Sequence, residues 1–221
     1  MAAQIAAEVC ALFYLAHIEE VLSKLRSIEP FSRIEPLSVH RSGVATSTQE
    51  AYLVLRAQCG DREAFEQLIT AVQPSLRRYI ARLAGTESAD DLLQDVLIIV
   101  CRKVTWLEDP KMFRPWLFRI ASRATFRHLK KGRRRIEDPM NQAVLDQAAA
   151  PAVQPSKQDI EQLLDCDALS AACRAVLVLH FEEGMTLLEI AAVLEIPLGT
   201  VKSRLASGLA TLRKELQKGR L

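Results

Sequence analysis

The sequence predicts an all-α protein: two small helical domains joined by a flexible linker, the second a helix-turn-helix. Three observations predict it. Aliphatic residues are plentiful and β-branched runs are short, which favours helices. Apolar residues recur at helical spacing in two separate blocks, residues 48–135 and 159–217. Between them, residues 136–158 hold Pro139, Pro151 and Pro155 around an alanine-rich middle that is poor in aromatics. That is the composition of an extended or mobile connection.

A chain of 221 residues fits one or two domains. Its net charge of +2 is an average over segments of opposite sign, so the local distribution carries the signal. The five cysteines (Cys10, Cys59, Cys101, Cys166, Cys173) are scattered, form no C-x-x-C pair and do not cluster with the four histidines. This reads as reduced, structural thiols of a cytosolic protein, with no disulfide frame, zinc site or other metal or cofactor centre expected.

Residues 1–47 form an N-terminal extension. Ala2 to Ser27 is helix-prone and largely apolar. Glu8 interrupts the apolar run and no basic segment precedes it, which argues against a secretory signal. The run is also too short and too charged to span a membrane. Ile28 to Thr48, with Pro30, Pro36 and Gly43 among serines and threonines, reads as a linker.

In the first domain, Asp61 to Leu68 starts an amphipathic helix with Ala64, Phe65, Leu68 and Ile69 apolar. It is expected to end at Pro74, and a second helix to follow through Leu83. Gly85 with Thr86 and Ser88 then breaks the chain. Ser88 to Val100 is the next helix. Its early acids suit the positive end of a helix. Leu92, Leu93, Val96, Ile99 and Val100 supply a buried side, and Asp91, Gln94, Asp95, Ile98 and Arg102 fall opposite. A face mixing acid with an exposed aliphatic suits a protein partner. The rival reading is a plain helix start with solvated acids. A metal site from Asp90, Asp91 and Asp95 is disfavoured because neighbouring helix residues point about 100° apart.

After a loop around Trp106 to Met112, residues 111–136 hold ten Lys or Arg and no Asp or Glu. Phe113, Leu117, Ile120, Ala121 and Ala124 mark an expected core face. Arg119, Arg123, Arg127 and Lys130 line up opposite, with Phe126 beside them. A solvated face would mix signs. An unopposed basic stripe with interleaved aromatics suits phosphates and unstacked bases. A membrane surface is a weaker alternative, because the apolar side is committed to a core.

The second domain begins near Asp159 and ends in two short helices around Glu195-Ile196-Pro197. Thr186 and Glu189 have capping-box spacing, and Gly184 is placed to end the preceding helix. In the last helix Val201, Leu205, Leu209, Leu212 and Leu216 make a core stripe. Thr200, Ser203, Arg204, Ser207 and Thr211 project opposite, with Lys202 on the flank. A small, polar, basic face of this kind can enter a DNA major groove. The alternative is an ordinary helical hairpin with a solvated face.

Three motifs now carry a resemblance. Leu169 to Leu179, Phe181 to Thr186, Glu189-Ile190-Ala191 and Gly199 to Leu205 together resemble the promoter −35-binding domain of bacterial sigma factors, the extracytoplasmic-function type most closely. Ala89-Asp90-Asp91-Leu92-Leu93-Gln94-Asp95 resembles the helix that grips the clamp helices of the polymerase β′ subunit, with Asp90 where Glu is usual. Trp116-Leu117-Phe118-Arg119-Ile120-Ala121 resembles the −10 recognition helix. The motifs occur in the family's order over about residues 50–217.

The resemblance implies a sigma factor, not an enzyme. It would bind core RNA polymerase and direct it to promoters. Asp91, Leu92, Gln94, Asp95 and Ile98 are then expected to contact the β′ clamp helices. Trp116, Arg119, Arg123, Phe126, Arg127 and Lys130 are expected at the −10 element, and Thr200, Lys202, Ser203, Arg204, Ser207 and Thr211 at the −35 element. The second domain would also rest on the β flap, the linker would pass near the active-site cleft, and an anti-sigma factor would be a further partner. Besides Asp90, three positions depart from the pattern. Arg123 and Arg127 stand where Asn and Asp are common, which adds positive charge toward phosphates. Glu195 stands where Gly or Asn is common, at a left-handed turn position, at a cost of about 1 kcal/mol. The first 45 or so residues are an addition to the pattern, either a regulatory or partner-binding helix or the product of a start codon assigned too far upstream. Two rivals make distinct predictions. A stand-alone helix-turn-helix regulator would be a dimer on a palindromic operator. A nuclease built on Asp90, Asp91 and Asp95 would turn over with metal.

Overall fold

The computed structural model describes residues 43–133, 164 and 168–217. The expected extension before residue 43, the linker and the start of the second domain lie outside the described residues. Those described are helical, with no strand among them. They comprise α1 (Gly43–Gln58), α2 (Arg62–Ala84), α3 (Ala89–Lys103), two 3-10 turns (Val104–Trp106 and Pro110–Met112), α4 (Phe113–Arg133), α5 (Ala171–Phe181), α6 (Leu187–Leu194) and α7 (Leu198–Gln217). The chain falls into two compact units. Residues 43–71 and 94–113 belong to the first, and residues 72–93 and 114–217 to the second.

In the first unit, Ala51, Leu53, Val54 and Ala57 of α1 are buried, as are Ala64, Phe65, Leu68 and Ile69 of α2. Asp61 caps α2 by accepting from the Ala64 N–H at 3.0 Å. Its other oxygen takes the Arg56 guanidinium at 2.7 Å. These contacts hold the Asp61 carboxyl below its ordinary range, the backbone donor first. Gln58 at the end of α1 donates to the carbonyls of Val104 (2.9 Å) and Leu107 (2.7 Å). Asp109 accepts from the Lys111 N–H at 3.0 Å. Two side chains thus give a fixed course to a segment expected to be plain loop. Burial pushes the Cys101 thiol up to about 11, so it stays protonated and inert.

α1 starts at Gly43, five residues before the expected domain edge, because Gly43 and the run Thr46-Ser47-Thr48 read as linker by composition. α2 also differs from expectation. It runs unbroken from Arg62 to Ala84 with Pro74 inside it. Pro74 is exposed, and it removes only one backbone hydrogen bond from the helix. Val72 and Leu76 on either side are fully buried and hold the helix on course.

The second unit holds the rest of α2, the start of α3, α4 and the three later helices. Tyr79 of α2 is fully buried and meets Phe118 of α4 edge-on, ring centroids 5.3 Å apart. Its hydroxyl pairs with Ser122 Oγ at 2.7 Å, and Ser122 Oγ also donates to the Phe118 carbonyl at 2.7 Å. Burial pushes the Tyr79 phenol up, so it stays neutral. The core face of α4 is Phe113, Leu117, Phe118, Ala121, Ser122 and Thr125. Ile120 and Ala124, expected inside, are only half-buried. The helix is rolled toward Tyr79, a hydrogen-bond partner that a hydrophobicity pattern does not register.

Arg77 of α2 grips Asp90 of α3 with two nitrogens at 2.6 and 3.0 Å. That hydrogen bonding holds the Asp90 carboxyl below its ordinary range. α5 opens on Ser170, whose hydroxyl accepts from the Cys173 N–H, and packs against α7. α6 carries the expected capping box of Thr186 and Glu189. On α7, Val201, Gly208 and Leu212 are buried, Leu205 and Leu209 half-buried and Leu216 exposed. Gly208 lets α5 approach: a Cβ there would lie 2.8 Å from Leu177 Cδ1.

Two measurements check this account. Gly208→Val should lower stability by about 1–3 kcal/mol, read as an earlier urea midpoint, because the added side chain would displace the buried Leu177. Asp90→Asn should cost no more than about 1 kcal/mol at neutral pH, since the pair is partly exposed. A depressed folded pKa contributes stability above the unfolded value near pH 4. That contribution is lost as pH falls through the lower folded value. The difference between Asp90→Asn and wild type should therefore shrink in acid, and a constant gap would contradict the role given to Arg77.

Candidate nucleic-acid and polymerase interfaces

The helix-turn-helix is α6, a three-residue turn and α7. Thr186 Oγ1 accepts from the Glu189 N–H at 3.3 Å, and the Glu189 carboxylate accepts from the Thr186 N–H at 2.8 Å. The turn is closed by Glu195, at φ 55 and ψ 44, and by the Ile196 N–H on the Ala191 carbonyl at 3.1 Å. Glu195 is the one non-glycine residue at positive φ among those described. The expected left-handed position is therefore occupied by a side chain that disfavours it.

On α7, Lys202, Ser203 and Ser207 are exposed, while Thr200, Arg204 and Thr211 are half-buried. The Ser203 hydroxyl donates to the Thr200 carbonyl and that of Thr211 to the Ser207 carbonyl, each at 3.1 Å. The hydroxyls thus lie close against the helix. The face is flat, with Lys202 and Arg204 its cationic reach.

The outer side of α4 carries Arg123, Arg127, His128, Lys130 and Lys131 exposed. Trp116, Arg119 and Phe126 are half-buried along its margin. The aromatics thus lie where an apolar ring can be offered beside a cation. Arg123 is engaged: its Nε donates to Glu195 Oε2 at 2.9 Å and a second nitrogen contacts Oε1. The pair lowers the Glu195 carboxyl and raises the Arg123 guanidinium.

α3 presents Asp91 and Asp95 to solvent, with Gln94 and Ile98 half-buried between them. Leu92 is 7% exposed and lies on the core side. Asp90 is committed to Arg77. Among the described residues no three His, Cys, Asp or Glu side chains converge as a metal site would need. Among the same residues no helix is long and apolar enough to cross a membrane.

The sequence places Trp106 in the loop after α3 and gives its side chain no role of its own. Trp106 is 82% exposed on the first 3-10 turn, the most exposed large apolar group described. The signal was available: a tryptophan between Thr105 and Leu107-Glu108-Asp109 that fits no helical stripe.

Residues 68–135 match the family model for Sigma-70 region 2, and residues 167–214 that for Sigma-70, region 4, together more than half of the chain. The ECF RNA polymerase sigma factor SigW of Bacillus subtilis is 26% identical over 174 residues, 72% of this chain and 91% of its own. The RNA polymerase sigma-H factor of Pseudomonas aeruginosa is 29% identical over 195 residues, 78% of this chain and 96% of its own. The probable RNA polymerase sigma factor RfaY of Xanthomonas campestris is 27% identical over 171 residues, but the match spans only 42% of that longer protein. Among solved structures, the sigma factor RpoE in complex with the anti-sigma factor NepR, from Bartonella quintana, aligns with a TM-score of 0.54 at 27% identity, over 69% of this chain and 96% of its own. CnrH in complex with the cytosolic domain of CnrY shares the fold at TM-score 0.54 and 22% identity, over 77% of this chain and 98% of its own. With both conserved regions matched in order, and the helix-turn-helix and basic helix falling inside them, the chain belongs to the sigma-70 family of RNA polymerase sigma factors, of the extracytoplasmic-function type.

Proposed function

We infer that this chain binds core RNA polymerase, brings it to promoters and initiates DNA-templated transcription there. The observation that carries the reading is the ordered pair of regions, each with its own cationic helix face. It acts as an initiation factor in the cytoplasm and catalyses no reaction itself, and it needs no metal or cofactor.

The roles divide by helix. α7 enters the major groove at the −35 element, with Thr200, Lys202, Ser203, Arg204, Ser207 and Thr211 along it. Its exposed small residues permit the close approach that Arg204 needs to reach a base edge. α4 meets the −10 element through Trp116, Arg119, Arg123, Phe126, Arg127 and Lys130. Its basic residues, with no acid on the helix itself, support phosphate binding to the strand being opened. Asp91, Gln94, Asp95 and Ile98 of α3 form the acidic face for the β′ clamp helices. Leu92 acts from beneath by holding that face in place. The second domain rests on the β flap. Two modest DNA contacts on one polymerase gain strength through effective concentration. An anti-sigma factor is a further partner, as NepR is of the neighbouring RpoE.

Run-off transcription from native promoter fragments, with core polymerase and with or without this chain, tests the reading. New defined start sites that require the chain are expected. Specific duplex binding without new start sites would favour a stand-alone regulator instead. Arg204→Ala should weaken −35 recognition by about 1–3 kcal/mol, measured on promoters differing only in that element. Unchanged preference would remove Arg204 from base reading. Asp95→Arg should impair capture by core polymerase with helicity unchanged, whereas normal capture would move the polymerase surface away from α3.

A further inference from the structure

α1 is apolar on two sides. Its inward face, with Ala51, Leu53, Val54 and Ala57, is buried. Its outward face carries Tyr52 at 59% and Leu55 at 51% exposure, one turn apart. A helix that is apolar on opposite sides is ordinarily covered on both. The start of α2, in the same unit, shows the usual alternative: it turns Glu63, Glu66 and Gln67 to solvent.

The outward face of α1 has little charge to offer a partner. Between Thr48 and Gln58 the charged residues are Glu50, which is buried, and Arg56. Arg56 is already engaged. Its guanidinium lies 2.5 Å from the Asp61 carboxylate and 5.7 Å from the centroid of the Tyr52 ring. What is left is an apolar patch of nearly neutral charge. It suits an apolar partner and not nucleic acid, which is held through cations.

The size of the patch limits what can cover it. Two large side chains fall well short of the roughly 1,000 Å² that association between separate molecules needs. A tethered occupant escapes that requirement, because a short linker holds it at millimolar effective concentration. The chain ahead of Gly43 supplies such an occupant. At about 100° per residue, Tyr14, Leu15, Ile18, Val21, Leu22 and Leu25 share one arc, with His17, Glu20 and Lys24 opposite. That stripe needs a surface to lie on. The lengths agree. α1 has 16 residues, about 24 Å of helix, and residues 14–25 would make about 18 Å. As a flexible chain, residues 26–42 span roughly 23 Å, which is what an antiparallel return along α1 requires. Effective concentration is greatest when linker and span match.

We propose that the outward face of α1 is the docking surface for this chain's own N-terminal segment, residues 14–25, which packs on it as an antiparallel helix with Ile18, Leu22 and Leu25 over Tyr52 and Leu55. The segment belongs to the part of the chain that the family pattern lacks, so the cover is particular to this chain. The pairing invokes no residue assigned to DNA or to polymerase and stands apart from that reading.

Hydrogen exchange of the full chain, read peptide by peptide by mass spectrometry, tests the pairing. Peptides within residues 14–25 should exchange about tenfold or more slowly than an unstructured segment, and just as slowly after dilution of the protein. Leu55→Asp should return them to the unstructured rate while peptides from α2 and α3 keep theirs. Ile18→Asp with Leu22→Asp should do the same without altering α1. Benzoylphenylalanine in place of Leu22 should, on illumination, crosslink to residues 48–59 of the same chain. Should Leu55→Asp disturb α1 itself, the crosslink decides. Fast exchange over residues 14–25 in wild type would overturn the proposal. So would protection that survives Leu55→Asp, or a crosslink formed elsewhere. Protection that fades on dilution would give the face to a second copy and overturn the tethered pairing. Run-off transcription is a separate readout, so failure of the polymerase reading would leave all of these outcomes as they are.

Discussion

The roll of α4 about its own axis decides what this protein can touch, and one buried hydroxyl pair sets it. α4 carries one broad basic side, and the core face opposite it fixes which way that side points. Tyr79 and Ser122, joined at 2.7 Å inside the core, admit one orientation. Either hydroxyl turned away would be a buried polar group without its partner, an expensive state in a low-dielectric interior. Phe118, edge-on to the Tyr79 ring, adds shape to the same lock. With the roll fixed, Arg123, Arg127 and Lys130 face outward together, and Trp116 and Phe126 flank them.

A second constraint works by removal. Gly208 costs helix propensity in the middle of α7. In return α5 comes close enough for Leu177 to fill the space where a side chain would stand. Glu195 shows the opposite balance. It holds a left-handed backbone that glycine would adopt more readily, and its carboxylate gains an arginine across the unit. One site gives up side chain for packing, the other backbone comfort for a charge contact.

Much of this was legible in the sequence because it depends on neighbours along the chain. The capping box at Thr186, the left-handed turn at Glu195, the acidic start of α3 and the charge run on α4 are local patterns, and the structure displays each. What was not legible depends on partners far away in sequence. Ser122 and Thr125 are core residues that a hydrophobicity pattern assigns to the surface, and Tyr79 lies more than forty positions from Ser122. Pro74 reads as a helix end, yet burial of Val72 and Leu76 carries α2 past it. The expected stripe on α7 included Leu209 and Leu216 and passed over Gly208, since apolarity does not register an absent side chain. Leu92 separates two kinds of signal on the candidate site: helical spacing puts it on the buried side, where it lies, while the motif groups it with the outward acids.

Trp106 has an experimental consequence of its own. The chain has two tryptophans, and the other, Trp116, is half-buried at the margin of α4. An indole that is 82% exposed emits in a water-like environment, and stacking against a nucleobase or a protein surface would alter its intensity and colour. Gln58 and Asp109 fix the segment that bears it, so such a change would report an arriving ligand and not a loop in motion. The protein thus carries its own optical probe on that segment, with no label to attach.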